Sequence, residues 1–301
     1  MAEAGRPEIY SIAAHRGFAD ALVAGLAPRY GEGDLGLARL TLLLPSSRAA
    51  RSVSEAFIRH YGADGDTNGL LMPRMVMIGD LDLNEALGTL LDPLGDSDIP
   101  PAADPMRRWL VLTNHLRTAM DREGQQVPGD AALLRMSREL AGTMDRLTAE
   151  EISFDDFLSE QVLGAHTELS EHWQRNTKLF KLVQTLWQDE LDARGEVDLA
   201  TRRNMLFERA AKRWKENPPA TPIVATGVTS AAPALARMLR RTADLPTGAV
   251  ILPDLDLSMR QDGWDELGRA GRASEPDELP FSAREAATHP QYHLKLLLHR
   301  M

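Results

Sequence analysis

The chain has 301 residues, 43% of them hydrophobic, no cysteine, and a formal net charge of −10. Its apolar content supports a sizeable core in one large or two ordinary domains, and the lack of cysteine excludes a disulfide scaffold and any thiolate metal or cluster site within this stretch. The acidic balance excludes a uniformly basic nucleic-acid binder, though not a local basic track.

Residues 1–7 are polar, and the apolar piece behind them is broken by His15, Arg16 and Gly17. No signal peptide is expected, and no run is long enough to span a bilayer. The chain therefore reads as cytoplasmic, with no membrane partner. Residues 9–14 form a first predicted strand, followed by a helix over residues 18–30 with Ala21, Leu22 and Leu26 on one face. Residues 40–44 are an apolar run without polar alternation, the pattern of a strand buried on both faces in a parallel sheet. Pro45 ends it. Ser46 and Ser47 are placed to accept from the first free N–H groups of a helix carrying Ala49, Val53, Ala56, Phe57 and Tyr61. A strand–turn–helix corner of this kind aims backbone N–H groups and a positive dipole end above the sheet, and Arg48 and Arg51 add two guanidinium groups to the first turn. Two readings of these arginines stay open: a contact to phosphate or nucleic-acid backbone, or a solvated helix face.

Residues 73–78 predict a third strand, and Asp80 is placed to cap a helix holding Leu83, Ala86, Leu87, Leu90 and Leu91. The acidic, turn-rich residues 92–104 mark a boundary. Beyond it, helical periodicity runs over residues 105–119, 131–147, 148–163, 169–194 and 199–216, and these carry Trp109, Trp173, Trp187 and Trp214, so an all-α insertion is expected. Strand and helix then alternate again, with strands at 223–226 and 248–252 around a helix at 233–242. Residues 261–280 are polar and rich in Gly and Asp and read as a mobile loop. A last apolar helix over 290–301 lacks a cap, which suggests an N-terminal part of a longer product. The resulting division is 1–98 and 218–260 as the two parts of one α/β domain, 99–217 as the inserted helical subdomain, and 261–301 as a loop and terminal helix.

The sequence lacks several catalytic signatures. No glycine precedes a lysine, so the phosphate-cradling G-x-x-x-x-G-K-[ST] loop does not occur. The strand at 223–226 runs into Gly227, Val228 and Thr229 rather than into the acids that would hold magnesium. None of the five lysines has an acid two positions before it, as a metal-dependent nuclease strand would require, and no G-x-S-x-G elbow is found. Asp254 and Asp256 read as turn and cap residues. Glu150, Glu151, Asp155 and Asp156 read as acids around a helix start. His289 and His293 stand at i and i+4 without a third metal ligand. Arg202, Arg203, Arg209, Lys212, Arg213 and Lys215 form a basic strip that could meet an acidic partner or line a solvated helix face. No catalytic residue, cofactor or metal is expected.

Several stretches together, ARLTLLLPSSRAARSVSEAFI, LMPRMVMIGDLD, EHWQRNTKLFKLVQTLW, EVDLATRRN, PIVATGVTSAAPALARMLRRTADLPTGAVILPDLD and HPQYHLKLLL, resemble the N-terminal portion of the AddB family, the double-strand break repair subunits of bacterial AddAB helicase–nucleases, in their alphaproteobacterial form. The resemblance implies a parallel RecA-like sheet of the superfamily 1 helicase kind with an inserted all-α subdomain. It implies that residues 14–18 stand where a helicase has its phosphate loop, that Thr226 and Gly227 replace its acidic magnesium motif, and that residues 253–256 lie near a later switch motif. It places residues 45–51 at a corner that touches single-stranded DNA in true helicases, which makes Ser46, Ser47, Arg48 and Arg51 the DNA-binding candidates. The implied role is an inactivated helicase-like scaffold in DNA repair and recombination, partnered by single-stranded DNA and an AddA-type helicase subunit. The family's exonuclease domain lies further toward the C-terminus and has no counterpart here, so this chain is not expected to be an enzyme by itself. The alternatives from the residues are an α/β enzyme binding a phosphorylated ligand through Ser46, Ser47 and Arg48, and a module that binds only protein.

Overall fold

A computed structural model of the chain describes residues 6–32, 35–62, 70–79, 90–91, 98–153, 171–269 and 287–301, with residues 171–176 described by backbone alone. The expected helix after Asp80 falls outside these residues except at Leu90 and Leu91, which are helical. Two compact units are present: Met1–Ser97 with Leu206–Met301, and Asp98–Met205.

The first unit is built on a five-stranded, all-parallel sheet in the order β1-β5-β4-β2-β3, where β1 is Ile9–Ile12, β2 Thr41–Leu44, β3 Arg74–Met77, β4 Ile223–Thr226 and β5 Gly248–Pro253. The strands β2 and β4 are buried at every position, which is why they read as uninterrupted apolar runs. Helices α1 (Phe18–Tyr30) and α2 (Ser47–Gly62) cover one face. There Leu22, Leu26, Val53 and Phe57 pack with Leu42, Leu44, Val224 and Ala249. The helix α7 (Pro233–Asp244) connects β4 to β5 and buries Leu235, Met238 and Leu239. Because side chains alternate across a strand, Leu43, Ala225 and Val250 face away from α1 and α2.

The second unit is helical. Helix α3 (Pro105–Arg122) starts at Asp104, whose carboxylate accepts from the Arg107 N–H at 2.7 Å, with proline in the first turn. With α4 (Asp130–Ala149) and α5 (Glu171–Arg194) it encloses Leu112, Leu116, Leu133, Met144, Val183 and Trp187. Inside this unit Arg108, only 5% exposed, places Nη1 2.6 Å from Asp145 and Nε 3.1 Å from Asp198. The Trp187 indole donates to the same Asp198 oxygen at 3.0 Å. Burial raises the Asp198 carboxyl against the opposing pull of Arg108 and of that indole hydrogen bond. The unit boundary falls inside α6 (Leu199–Glu216).

Three expectations are corrected. Residues 261–269 are not a loop but helix α8 (Gln261–Arg269). Only Trp264 and Leu267 among its residues are large and apolar, too few to show a period. Both are used: Leu267 is buried, and the Trp264 ring sits under the Lys295 ammonium of α9 (Tyr292–Arg300) at 4.7 Å. Glu150 and Glu151 follow the end of α4, with Glu151 at φ 56°, so they do not open a helix, and Asp155 and Asp156 lie outside the described residues. The basic strip on α6 is divided by internal bonding. Arg202 donates to the carbonyls of Ile99 and Pro100 at 3.0 and 2.5 Å, Arg213 donates to those of Leu91 and Leu90 at 3.0 and 2.8 Å, and Arg203 is buried. Arg209, Lys212 and Lys215 remain exposed.

Candidate nucleic-acid interface

All five strands run the same way, so the loops that leave their C-terminal ends meet at one edge of the sheet. At that edge β2 departs for β3 on one side while β4 departs for β5 on the other. A point where the winding reverses leaves a crevice, the usual ligand position in open α/β sheets.

The β2–α2 corner forms one wall. Pro45 lacks an N–H and ends the ladder. The Ser46 hydroxyl accepts from the Ala49 N–H at 3.3 Å and its carbonyl from the Ala50 N–H at 3.0 Å, so Ser46 is the N-cap. Ser47 is already helical and exposed, and contributes no cap bond. Arg48 and Arg51 are exposed and make no hydrogen bond or ion pair among the described residues. Beside the corner, a Cβ on Gly79 would stand 2.1 Å from the Pro45 carbonyl oxygen, so only glycine lets the chain leaving β3 pass there.

The other wall is the end of β4. Thr226 is fully buried and its hydroxyl has no hydrogen-bond partner among the described residues. Gly227 takes φ +71°, a left-handed conformation, while its N–H donates to Ile251 at 2.9 Å. A Cβ at this position would lie 3.4 Å from Cε1 of Phe18 and 3.8 Å from Cδ of Pro45. Phe18 is the first residue of α1, so its ring spans from the loop after β1 to the end of β4. An aromatic ring, a proline and a glycine thus stand together at this end of the sheet; none of their side chains binds phosphate or metal, and the Gly227 N–H is already given to Ile251. Residues 13–17 make a tight turn in which the Arg16 N–H donates to Ala13 at 3.0 Å, with the side chains of His15 and Arg16 exposed.

The turn after β5 is fixed from two directions. Leu255 N–H donates to the Ser11 hydroxyl at 3.1 Å, and buried Gln291 bridges the Asp256 N–H at 3.0 Å and the Asp254 carbonyl at 2.8 Å. Asp254 is held at φ 55°. The Asp256 carboxylate accepts from the Ser258 hydroxyl at 2.6 Å and N–H at 2.9 Å, bonds that hold its carboxyl below the usual carboxylate range. Both aspartates thus serve the turn. His289 accepts from the Gln291 N–H through Nδ1 at 3.2 Å, while the His293 ring lies edge-on to Tyr292. Among the described residues no group of three or more His, Cys, Asp or Glu is arranged to hold a metal. No described helix is long and apolar enough to cross a membrane.

Of the four sequence candidates, the fold places Ser46, Ser47, Arg48 and Arg51 together at the sheet's C-terminal edge, with Ser46 occupied by capping. Sequence reasoning singled out residues 14–18 and Gly227 only as positions of loss. That Phe18 and Gly227 meet, and that Gln291 clamps the turn after β5, carries no local signal. A scan against models of protein families gives no match, and a search of curated proteins gives none either.

Proposed function

We propose that this chain is a nucleotide-independent, helicase-like scaffold of the AddB kind, a RecA-like body of superfamily 1 type with an inserted helical subdomain, which holds single-stranded DNA and docks an AddA-type helicase subunit during double-strand break repair. The observation that carries the reading is the approach of the Phe18 ring to the end of β4, where a Cβ on Gly227 would stand 3.4 Å from it. A nucleotide-hydrolysing sheet of this class sets a Ser or Thr at the start of the first helix, with magnesium between that hydroxyl and an acid after a later strand. Here the first helix opens with an aromatic ring and the strand runs into glycine, so neither position offers the hydroxyl or the acid that magnesium needs. The neighbouring corner keeps what a nucleic-acid backbone needs: a helix N-terminus and two arginines without partners among the described residues. Binding of a fluorescein-labelled single-stranded oligonucleotide, followed by anisotropy with the unaltered chain and with Arg48→Ala/Arg51→Ala, tests the reading. The doubly substituted chain is expected to bind more weakly. Equal affinity would return the corner to a structural role.

A further inference from the structure

The strand β1 lies at the margin of the sheet. Its inner side is satisfied by β5: the Val250 N–H donates to the Glu8 carbonyl at 2.9 Å and the Asp254 N–H to the Ile12 carbonyl at 2.8 Å. In a parallel ladder the alternate residues, Ile9 and Ser11, then turn their N–H and C=O groups away from the sheet. No described residue pairs with them.

Along this open margin runs an apolar groove of about 240 Å³ between α1 and the sheet, with Tyr10, Ile12 and Ile251 on one side and Ala21, Leu22 and Gly25 on the other. Its width comes from the small residues of α1, since a Cβ on Gly25 would meet nothing within 4 Å. Arg29 and Tyr30 close one end, and the same two residues begin a second cavity of about 320 Å³ that also takes in Glu32 and Arg39. Arg29 is turned toward Tyr10, whose hydroxyl accepts from Nη1 at 2.8 Å, and lies 3.9 Å from Glu8. Arg39 is exposed and makes no hydrogen bond or ion pair among the described residues.

We propose that this margin is a peptide-docking site, in which an extended segment of a partner protein adds a sixth strand beside β1, places an apolar side chain in the groove, and carries acidic residues at the end that reaches Arg29 and Arg39. Three features specify the occupant. Unpaired backbone groups at alternate positions of β1 are matched by another extended backbone. The groove selects apolar side chains on the face toward α1. Arg29 is answered by Glu8 and Tyr10, so Arg39, which has no hydrogen bond or ion pair among the described residues, is the cation that selects negative charge. The arginine end of the groove reaches Glu8 and Tyr10, toward the N-terminal end of β1 and away from the candidate nucleic-acid interface, and the proposal stands independently of the function proposed above.

The test uses fluorescein-labelled peptides EEVTVTV and KKVTVTV with the 301-residue chain, followed by anisotropy and by residue-resolved amide exchange. EEVTVTV is expected to bind, KKVTVTV to bind at least roughly tenfold more weakly, and the Ile9 and Ser11 amides to become protected only when EEVTVTV is present. Gly25→Leu fills the groove and replaces glycine inside a helix, so it is expected to abolish binding without lowering the melting temperature. Ile9→Pro, which removes an outward N–H on a marginal strand, is expected to weaken binding as well. The proposal is overturned if EEVTVTV does not bind, if both peptides bind alike, or if Gly25→Leu binds normally. It is also overturned if Ile9 and Ser11 are protected without peptide in a chain of doubled mass, which would give the margin to a second copy.

Discussion

The aromatic ring of Phe18 lies 3.4 Å from where a Cβ on Gly227 would stand. This approach brings the start of the first helix to the end of strand β4, two places that a nucleotide-hydrolysing sheet of the proposed kind would bridge with magnesium. Gly227 is also left-handed, at φ +71°. Gly227→Ala is therefore expected to cost about 1–2 kcal/mol from backbone conformation, read as a lower urea midpoint with an unchanged slope.

The arginines of the corner are predicted to act on binding and not on folding. Because Arg48 and Arg51 have no partner among the described residues, replacing both by alanine is expected to change stability by no more than about 0.5 kcal/mol. If each contacts one phosphate, the slope of log affinity against log salt falls by about 1.4 for single-stranded DNA. Ser46→Ala is expected to show the reverse pattern. It loses the cap to Ala49, at a cost of about 1 kcal/mol, with the salt slope intact.

How far these elements were legible depends on where their partners lie. The strands β2 and β4 were plain in the sequence because burial on both faces removes polar alternation, and α6 showed its full extent through its apolar period. Helix α8 was hidden because two apolar residues, Trp264 and Leu267, suffice when Lys295 from a later helix covers the first. The basic strip on α6 misled for a related reason: Arg202 and Arg213 are spent on carbonyls about a hundred residues away in sequence, which no local pattern reveals. At the candidate site, Ser46, Arg48 and Arg51 were readable from the strand–proline–helix order. The approach of Phe18 to the end of β4 was not, because it joins distant segments.

Within the helical unit, Arg108 is expected to be the most sensitive polar position. It faces Asp145 at 2.6 Å and Asp198 at 3.1 Å while 5% exposed. Arg108→Ala removes the cation that both carboxylates share, leaving Asp145 with Arg203 alone, and is expected to destabilise this unit by roughly 3–5 kcal/mol. Urea unfolding read through tryptophan fluorescence measures it, since Trp109 and Trp187 belong to this core. A loss below about 1 kcal/mol would assign Arg108 no more weight than a surface pair.

Acid is expected to weaken the same unit through His115. Burial lowers its pKa, only partly opposed by Glu190, and its Nε2 is buried without a hydrogen-bond partner among the described residues. The folded state therefore binds this proton less readily than the unfolded state, whose value is about 6.5. The contribution of His115 is full above that pH and is lost as pH falls through it toward the folded value. Asp198 runs the other way. Its raised carboxyl contributes fully below the unfolded value of about 3.9 and loses that contribution as pH rises through its folded value. His115→Gln should flatten the fall in stability below pH 6.5, measured as urea midpoints across a pH series. An unchanged profile would assign the pH dependence to other groups.

The central claim, a helicase-like body that does not use nucleotide, is tested most directly by calorimetric titration of the chain with ATP and magnesium. The account predicts no saturable heat up to millimolar nucleotide, both for the unaltered chain and for Phe18→Ala. Saturable, magnesium-dependent binding by the unaltered chain would contradict it.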